Sequence, residues 1–154
     1  MDKLQLEVLT PGRILLETEA DHVVLPGSMG EMGILPQHIP VVTMLNGGVL
    51  SYFVGQKQSY LAVQGGYAQV DNNHVTVLVE RAAFAEEIDV VVAEQDEKEA
   101  AEHLKQLLSK SSSRATEEEY EVERKRAAAY EAQLLWAIAR QSASQHNNPP
   151  SGIS

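Results

Sequence analysis

Histidines and carboxylates are the side chains that could bind a metal or transfer protons in this chain, because it contains no cysteine. Its five histidines are scattered along the sequence, at His22, His38, His74, His103 and His146. No two of them stand at the spacing of metal ligands together with a second type of ligand. No G-x-S-x-G nucleophile motif occurs either. The sequence therefore predicts neither a metal site nor a catalytic centre.

A glycine-rich stretch, Gly27-Ser-Met-Gly30, is the segment most similar to a phosphate-binding turn. It lacks the lysine of a P-loop, and no helical pattern follows it. We therefore interpret it as a turn between strands.

Composition excludes several classes of protein. The 154 residues carry a formal net charge of -10, which disfavours nucleic acid and anionic lipid surfaces as partners. No apolar run approaches the roughly 20 residues of a membrane-spanning helix. The N-terminus, MDKLQLEV, alternates polar and apolar residues at once and lacks the pattern of a secretory signal.

The first part of the chain, residues 1–87, reads as many short β-strands. Leu4, Leu6 and Val8 alternate with polar residues, at the period of a half-buried strand. Similar runs follow, separated by glycine and asparagine turns, and Gly65-Gly66 is interpreted as one of these breaks. Because no helix-length segment separates the runs, this pattern predicts a β-sandwich rather than a parallel α/β fold.

After residue 87 the period becomes helical, and residues 88–143 are predicted to form an antiparallel two-helix hairpin. Asp89 is a suitable N-cap for the first helix, and Thr116 with Glu119 forms a capping box for the second. The predicted apolar stripes are Ile88, Val91, Val92, Ala100, Ala101, Leu104, Leu107 and Leu108, and Ala127, Tyr130, Leu134, Ala137 and Ile138. Residues 144–154 are polar and contain two prolines, so we expect a disordered tail.

These stripes are thin and rich in alanine, so the hairpin buries little apolar area. Each kcal/mol of stabilisation requires about 40 Å² of apolar burial, and ordering the backbone opposes it by about 1–2 kcal/mol per residue. The hairpin must therefore be stabilised by packing against the sandwich or against another protein.

The stretch from Val24 to Leu50 contains five glycines and three prolines between short apolar runs. It closely resembles the G-x-x-G-x-[LIM]-G-[IV]-L/Y-P-x-H-x-P signature of the epsilon subunits of F-type ATP synthases, called delta in mitochondria. The matching residues are Gly27, Gly30, Met32, Gly33, Ile34, Leu35, Pro36, His38 and Pro40. Three further segments resemble family strands in the same order: the segments that begin at Leu6, Ala62 and Asn73.

This resemblance implies a non-catalytic subunit of the central rotor stalk of a proton- or sodium-translocating synthase, without a cofactor. It implies a sandwich that binds the gamma subunit and rests on the c-subunit ring. It also implies a hairpin that extends toward the catalytic alpha and beta subunits and restrains ATP hydrolysis. The implied location is the cytoplasmic face of the bacterial plasma membrane, as a peripheral subunit.

Partner-binding residues are predicted in the signature segment. In the family, the residue matching His38 lies near gamma and the residue matching Glu31 lies toward the c ring. Met32 and Ile34 belong to the same segment, which is too apolar for an idle surface turn. We therefore predict that all four residues contact partners.

Family members that bind ATP on the hairpin carry an [IL]-D-x-x-R-A motif. The matching residues here are Ile88, Asp89, Val92 and Ala93, so valine replaces the arginine. A neutral branched side chain cannot pair with a phosphate, and no bound nucleotide is expected.

The charge run EEEYEVERKR, residues 117–126, has two interpretations of equal weight. One is a solvated helix face on which Glu121 pairs with Lys125. The other, which rests on the resemblance, is a basic patch that meets the catalytic subunits, formed by Arg124, Lys125 and Arg126.

An alternative to the rotor interpretation is a binding module of another class. It would be a non-catalytic adaptor whose sandwich carries a ligand and whose hairpin docks one partner.

Overall fold

The computed structural model describes residues 2–110 and 116–147 of the chain. Within them, eight strands precede a short 3₁₀ turn, Ala85–Glu87, and two helices. The strands are β1 (Leu4–Thr10), β2 (Arg13–Ala20), β3 (His22–Gly27), β4 (Gly30–Ile34), β5 (Val41–Leu45), β6 (Gly48–Val54), β7 (Lys57–Asp71) and β8 (His74–Phe84). The helices are α1 (Val90–Ser109) and α2 (Glu117–Asn147). The predicted fold, a β-sandwich followed by a helical hairpin, is confirmed.

Strands β7 and β8 run through both layers of the sandwich. The strand order is β2-β1-β8-β7-β5-β3-β4, and β6 pairs with β3 and β7. The first half of β7 pairs with β6, and its second half pairs with β5. All of these pairings are antiparallel except that of β1 with β8.

The predicted break at Gly65-Gly66 is wrong, because β7 continues through both glycines. Gly65 has a φ of +34°, which kinks the strand where it changes partner from β6 to β5. A Cβ on Gly66 would lie 1.9 Å from the carbonyl oxygen of Leu78, so only glycine permits this close approach of β7 to β8. The two glycines therefore bend one long strand instead of separating two short ones.

Strand β4 lies inside the signature segment, where the glycines and prolines predict tight turns that join short strands. It pairs antiparallel with β3 from Gly27↔Gly30 to Val23↔Ile34, so Ser28 and Met29 form the turn. Gly30 has a φ of +124°, a conformation that favours glycine. The stretch from Gly27 to Gly30 is therefore a hairpin turn. This confirms its interpretation as a turn between strands.

The sandwich core follows the predicted alternation. Leu4, Leu6 and Val8 are fully buried, and they pack with buried residues of the other strands. The core members contributed by β3 to β8 are Val23, Leu25, Ile34, Leu45, Leu50, Leu61, Val63, Ala68, Val70, Val75, Val77 and Val79.

A polar network at Asp21 ties the N-terminal segment to the β6–β7 turn. The Asp21 carboxylate accepts a hydrogen bond from Lys3 Nζ at 2.8 Å and another from the Gly55 amide at 2.7 Å. These bonds, Lys3 first, lower the pKa of Asp21, and the bond to Asp21 raises the pKa of Lys3. The contribution of Asp21 to stability is therefore present above the ordinary pKa of its carboxyl group and is lost as the pH falls through the lowered pKa.

Both predicted helix caps are present. Asp89 Oδ1 accepts from the amides of Val91 at 3.0 Å and Val92 at 3.3 Å. Glu119 accepts from the Thr116 amide at 3.1 Å, and the Thr116 hydroxyl accepts from the Glu119 amide at 3.2 Å. This reciprocal pair is the geometry of a capping box.

The buried faces of the helices differ in part from the predicted stripes. Val91, Val92, Ala101, Leu108 and Ile138 are exposed. The buried positions are occupied by alanines, at Ala93, Ala100, Ala137, Ala139 and Ala143. Small side chains allow the two helices to approach closely, while polar bonds join them at the edges: Arg140 donates to Asp96 at 2.7 Å and Gln141 to Glu97 at 2.6 Å.

Helix α2 also extends farther than predicted. It continues through Asn147, so residues 144–147 are helical rather than a disordered tail. Residues 148–154 of the predicted tail lie outside the described residues, as do residues 111–114 of the polar segment 110–114, whose composition predicts the break between the two helices.

Candidate partner-binding surfaces

Five apolar side chains form a row across the outer face of the sandwich. Strand pairing places Met44 opposite Tyr67, Tyr67 opposite Leu78, Leu78 opposite Leu9 and Leu9 opposite Ile14. Residues that face each other on neighbouring strands lie on the same side of a sheet. The apolar row therefore crosses five strands, and with strands about 4.8 Å apart it is about 19 Å long.

The apolar row is open to solvent. Met44 is 72% exposed, Ile14 56% and Tyr67 50%, and Leu78 is also exposed. Together with the exposed Val42, these side chains form a contiguous apolar patch on a chain whose core is already filled by other residues. An exposed apolar patch of this kind is typical of a protein–protein interface.

A groove of about 600 Å³ lies beside the apolar row. Leu9, Met44, Tyr67 and Leu78 of the row contribute to its lining. It also contains Gly65 and Gly66 at the kink of β7, and Thr10 and Pro11 at the end of β1. The kink and the missing side chains of the glycines thus create space next to the row.

A second row on the same face is more polar. Val42 lies opposite Gln69, Gln69 opposite Thr76 and Thr76 opposite Glu7. These residues precede or follow the apolar row by two positions on each strand, so they point to the same side. They supply control positions on β5, β7, β8 and β1 whose side chains point to the same side as the apolar row.

The predicted contact residues of the signature segment do not form one cluster. Glu31 and Met32 lie in β4, with Glu31 exposed and Met32 half-buried against the core. His38 lies beyond the end of β4, in a turn in which its amide donates to the Leu35 carbonyl at 3.1 Å. Near it, Leu35 is 58% exposed and Ile39 is 74% exposed.

The prediction that Ile34 contacts a partner is wrong. Its side chain is fully buried and belongs to the sandwich core, so it has no surface to offer a partner. Ile34 is apolar because its side chain packs in the sandwich core. Its backbone pairs with Val23 of β3.

Ile34→Asp is expected to lower the free energy of unfolding by about 3 kcal/mol or more, because it places an unpaired carboxylate among buried aliphatic side chains. Met44→Asp, at an exposed position, is expected to change it by less than about 0.5 kcal/mol. Urea unfolding followed by circular dichroism measures both. An Ile34→Asp chain as stable as the Met44→Asp chain would show that Ile34 is not a core residue.

The basic residues of the charge run lie on an exposed face of α2. Arg124 pairs with Glu121 at 3.0 Å, so the bridge joins positions three apart instead of the predicted Glu121–Lys125 pair. Arg124, Lys125 and Arg126 are all exposed. A single exposed bridge contributes about 0–1 kcal/mol, so it does not prevent these cations from meeting a partner.

A family model described as ATP synthase, Delta/Epsilon chain, beta-sandwich domain matches residues 3–85. The chain belongs to the ATP synthase delta/epsilon family. The match begins one residue before β1 and ends one residue after β8, so it spans the sandwich of this delta/epsilon chain.

Several curated relatives are named ATP synthase epsilon chain. The one from Nitratidesulfovibrio vulgaris strain Miyazaki F is 49% identical over 87 residues, covering 56% of this chain and 65% of the relative. The one from Carboxydothermus hydrogenoformans is 45% identical over 103 residues, covering 67% and 77%. The one from Gloeothece citriformis is 38% identical over 126 residues, covering 82% and 91%, so similarity reaches into the helical hairpin.

Solved structures show the same fold. A chain of the Euglena gracilis mitochondrial ATP synthase matches with a TM-score of 0.64 at 22% identity and covers 92% of this delta/epsilon chain and 81% of that chain. A chain of the Tetrahymena thermophila mitochondrial ATP synthase central stalk and c-ring matches with a TM-score of 0.50 at 12% identity, covering 86% and 94%.

The hairpin of this delta/epsilon chain is docked on the sandwich through α2. Ala139 and Ala143 pack with Ala62 of β7 and Ala85 of the 3₁₀ turn. Gln64 Nε2 donates to the Ala132 carbonyl at 2.8 Å. Near the end of α2, the His146 ring stacks on Tyr60 with centroids 4.5 Å apart. Val49, Tyr60, Ile88 and Trp136 are half-buried and pack against the alanines of this contact.

The residues matching the ATP motif do not converge on one site. Asp89 is engaged as the cap of α1, Val92 is exposed, and Ala93 is buried between the helices. Ile88 is half-buried and packs against the contact between α2 and the sandwich. No side chain of this set carries a positive charge for a phosphate.

Among the described residues, no group of histidine and carboxylate side chains has the arrangement of a metal site. No helix in the described ranges is long and apolar enough to cross a membrane.

Proposed function

We propose that the chain is a central-stalk subunit of a proton- or sodium-translocating F-type ATP synthase, in which its sandwich binds the gamma subunit and contacts the c-subunit ring. The observation that carries the proposal is the apolar row, from Met44 to Ile14. The apolar row is about 19 Å long, and its exposed side chains on four of five neighbouring strands are typical of a surface that a partner protein covers. A rotor subunit needs a rigid, largely apolar face that transmits torque through a tight contact.

The β3–β4 turn supplies a second contact at one end of the sandwich. Met29 is fully exposed at its tip, and Glu31 is exposed two residues further on. One structural relative belongs to a central stalk and c-ring assembly, which supports a contact with a c-ring. We assign this turn to the c-subunit ring and the apolar row to gamma, so one rigid sandwich connects the two partners. His38, at the opposite end of β4, extends the surface available to gamma.

The subunit is non-catalytic and acts through its contacts. It sits at the cytoplasmic face of the bacterial plasma membrane as a peripheral part of the synthase. The proposal is supported by the family membership.

The hairpin is a regulatory arm in this proposal. The structure has it docked by four alanines with Val49, Tyr60, Ile88 and Trp136 packed around them, by one buried amide and by one aromatic stack. Such a contact can be exchanged for another of similar free energy, so docked and extended states lie within a few kcal/mol. In the extended state, Arg124, Lys125 and Arg126 reach the catalytic alpha and beta subunits and restrain ATP hydrolysis.

Binding to gamma tests the proposal. The full chain is titrated with a purified complex of alpha, beta and gamma subunits, and the dissociation constant is measured by fluorescence of the single tryptophan, Trp136, or by interferometry. Stoichiometric binding at submicromolar concentration is expected. Absence of binding to a complex that contains gamma would overturn the proposal.

The free chain is expected to bind ATP weakly or not at all. A desolvated arginine–phosphate pair contributes a few kcal/mol, and each 1.4 kcal/mol is about tenfold in affinity, so Val92 removes a factor of about a hundred. Calorimetry should show a dissociation constant in the millimolar range, and Val92→Arg should bind more tightly. Micromolar binding by the unsubstituted chain would contradict the expectation.

A further inference from the structure

The first residues of β7 have a neighbouring strand on one side only. Pairing with β6 begins at Lys57, whereas pairing with β8 is present only from Leu61, which lies opposite Phe84. Among the described residues, no backbone hydrogen bond outside the strand pairs involves residues 57–60. The main-chain donors and acceptors on the β8 side of this stretch are therefore open to another segment of chain.

A small groove, called the edge groove below, lies along this unpaired edge. Its volume is about 140 Å³, and its lining includes Lys57 and Tyr60 of β7, Phe84 at the end of β8, and Ala85 and Glu86 of the 3₁₀ turn. Sites for small organic ligands have volumes of roughly 300–1,000 Å³. The edge groove is therefore too small for such a ligand or for a helix, and it fits one or two side chains of an extended segment.

The end of α2 lies beside the edge groove. The His146 ring is stacked on the Tyr60 ring, with centroids 4.5 Å apart and planes 7° from parallel. Ala143, about one turn earlier, belongs to the same buried cluster as Ala85. Because Tyr60 and Ala85 both line the edge groove, the residues that follow Asn147 start next to it.

Seven residues follow α2 in the sequence, Asn148-Pro149-Pro150-Ser151-Gly152-Ile153-Ser154. A proline disfavours a helical backbone at the residue before it, which agrees with the end of α2 at Asn147. Two consecutive prolines favour the extended polyproline II conformation, so such a segment loses less conformational entropy on binding than a flexible one. Segments of this kind bind in grooves with aromatic side chains, and Tyr60 and Phe84 belong to the lining here.

We propose that residues 148–154 dock along the unpaired edge of β7, with Pro149 and Pro150 seated in the edge groove beside Tyr60, and fasten the end of α2 to the sandwich. The edge from Tyr60 to Lys57 is about 10 Å long, which three residues of extended chain cover. Attachment to α2 keeps the segment at an effective concentration in the millimolar range, so it occupies the groove ahead of a proline-rich segment of another protein.

This docking goes beyond the proposed function and does not depend on it. Composition alone predicts a disordered tail for these residues, because composition does not show that α2 ends beside a groove. Only one consequence rests on the proposed function. If the hairpin is the regulatory arm described above, the segment stabilises its docked state.

Disulfide trapping in the full, free chain locates the segment. The chain has no cysteine, so Ser151→Cys can be combined with Lys57→Cys at the edge groove or with Arg81→Cys as a control. Both of these substitutions replace an exposed cation of the sandwich, and Arg81 lies about 10 Å along β8 from Phe84. With rates normalised to the reactivity of each cysteine toward a small soluble disulfide, the Lys57 pair is expected to close at least about tenfold faster.

Replacement of the prolines checks that they cause this difference. Pro149→Ser with Pro150→Ser keeps the length of the segment and should bring the two trapping rates to within about threefold of each other. Equal rates with the prolines present would overturn the proposal. A disulfide that joins two chains would overturn it as well, because the segment would then occupy the groove of a second copy.

Hydrogen exchange tests the effect on α2 without any introduced cysteine. In the Pro149→Ser, Pro150→Ser chain, the amides of residues 140–147 should exchange at least about threefold faster than in the unsubstituted chain, while those of β1 are unchanged. Ser151→Ala with Ser154→Ala keeps both prolines and should leave exchange unaltered. Exchange in α2 that does not respond to loss of the prolines would contradict the proposal. Because gamma is absent from these measurements, failure of the chain to bind gamma would contradict the proposed function alone.

Discussion

Replacing Met44 and Leu78 together by aspartate is expected to weaken binding to gamma by about a hundredfold or more. Both residues belong to the apolar row and are exposed in the free chain. In the complex, each aspartate would be buried against apolar groups without a partner, which costs well over 1.4 kcal/mol, or about tenfold, for each site. The dissociation constant of the alpha–beta–gamma complex measures the loss.

The second row provides a matched control for this double substitution. Gln69→Asp with Thr76→Asp adds the same two negative charges on the same face of the sheet, on β7 and β8, at positions two residues from the apolar row on each strand. It is expected to weaken binding by only a few-fold, and less at high salt because long-range repulsion is screened. The free energy of unfolding should be almost unchanged in the Met44, Leu78 variant and lower by up to about 1 kcal/mol in the control, because its two carboxylates face each other across β7 and β8. Equal loss of gamma affinity in the two would show that charge, and not the apolar row, decides binding.

Removing the hairpin from Ile88 onward is expected to raise ATP hydrolysis by the assembled synthase several-fold, while binding to gamma persists. The truncated chain keeps all eight described strands, the apolar row and the 3₁₀ turn. It loses the docked α2 and the basic residues that restrain the catalytic subunits. Steady-state hydrolysis and gamma affinity are measured on the same preparations. Hydrolysis at the intact rate would leave the hairpin with a role in assembly only.

Truncation also uncovers part of the sandwich, so it needs a companion variant. Ala62, Tyr60 and Val49 lose the contact with α2. The truncated chain should remain β-rich and melt cooperatively, though at a lower temperature. Reversing Arg124, Lys125 and Arg126 to glutamate leaves the docking contacts untouched and should raise hydrolysis more mildly, with a smaller effect at high salt.

Local signals in the sequence predicted much of this fold. The alternation in β1 identified a buried strand, and the residues at Asp89 and at Thr116 with Glu119 identified two helix starts whose hydrogen bonds the structure contains. Each of these features depends on residues that lie only a few positions apart in the sequence. Local spacing is therefore enough to specify them.

The apolar row could not be read from local spacing, because it arises from the register of five strands. Met44 and Tyr67 are 23 positions apart along the chain, and Leu9 and Leu78 come from opposite ends of the sandwich domain. In β5 both faces are apolar, with Leu45 buried and Met44 exposed. Such absence of alternation, also present at Val77-Leu78-Val79 in β8, is a sequence signal that the outer face contacts a partner.

Two wrong predictions have a common cause. Ile34 was interpreted as part of an interface, and Gly65-Gly66 as a break, because each lies in a segment rich in turn residues. Burial and strand continuity depend on pairing with β3 and with β5, β6 and β8, which turn residues do not reveal. The helix stripes differ for a similar reason, since alanines at the contact allow closer packing than the valines beside them.

Isolation of a tagged copy of the full chain from its own cells tests the central claim most directly. Membranes are solubilised gently, the tagged chain is purified, and its companions are identified by mass spectrometry. The account predicts the gamma subunit in equal amount, with alpha, beta and c subunits, and predicts that the Met44→Asp, Leu78→Asp chain loses all of them. Recovery of a single unrelated protein, or of no companion, would contradict the rotor function and favour the adaptor interpretation.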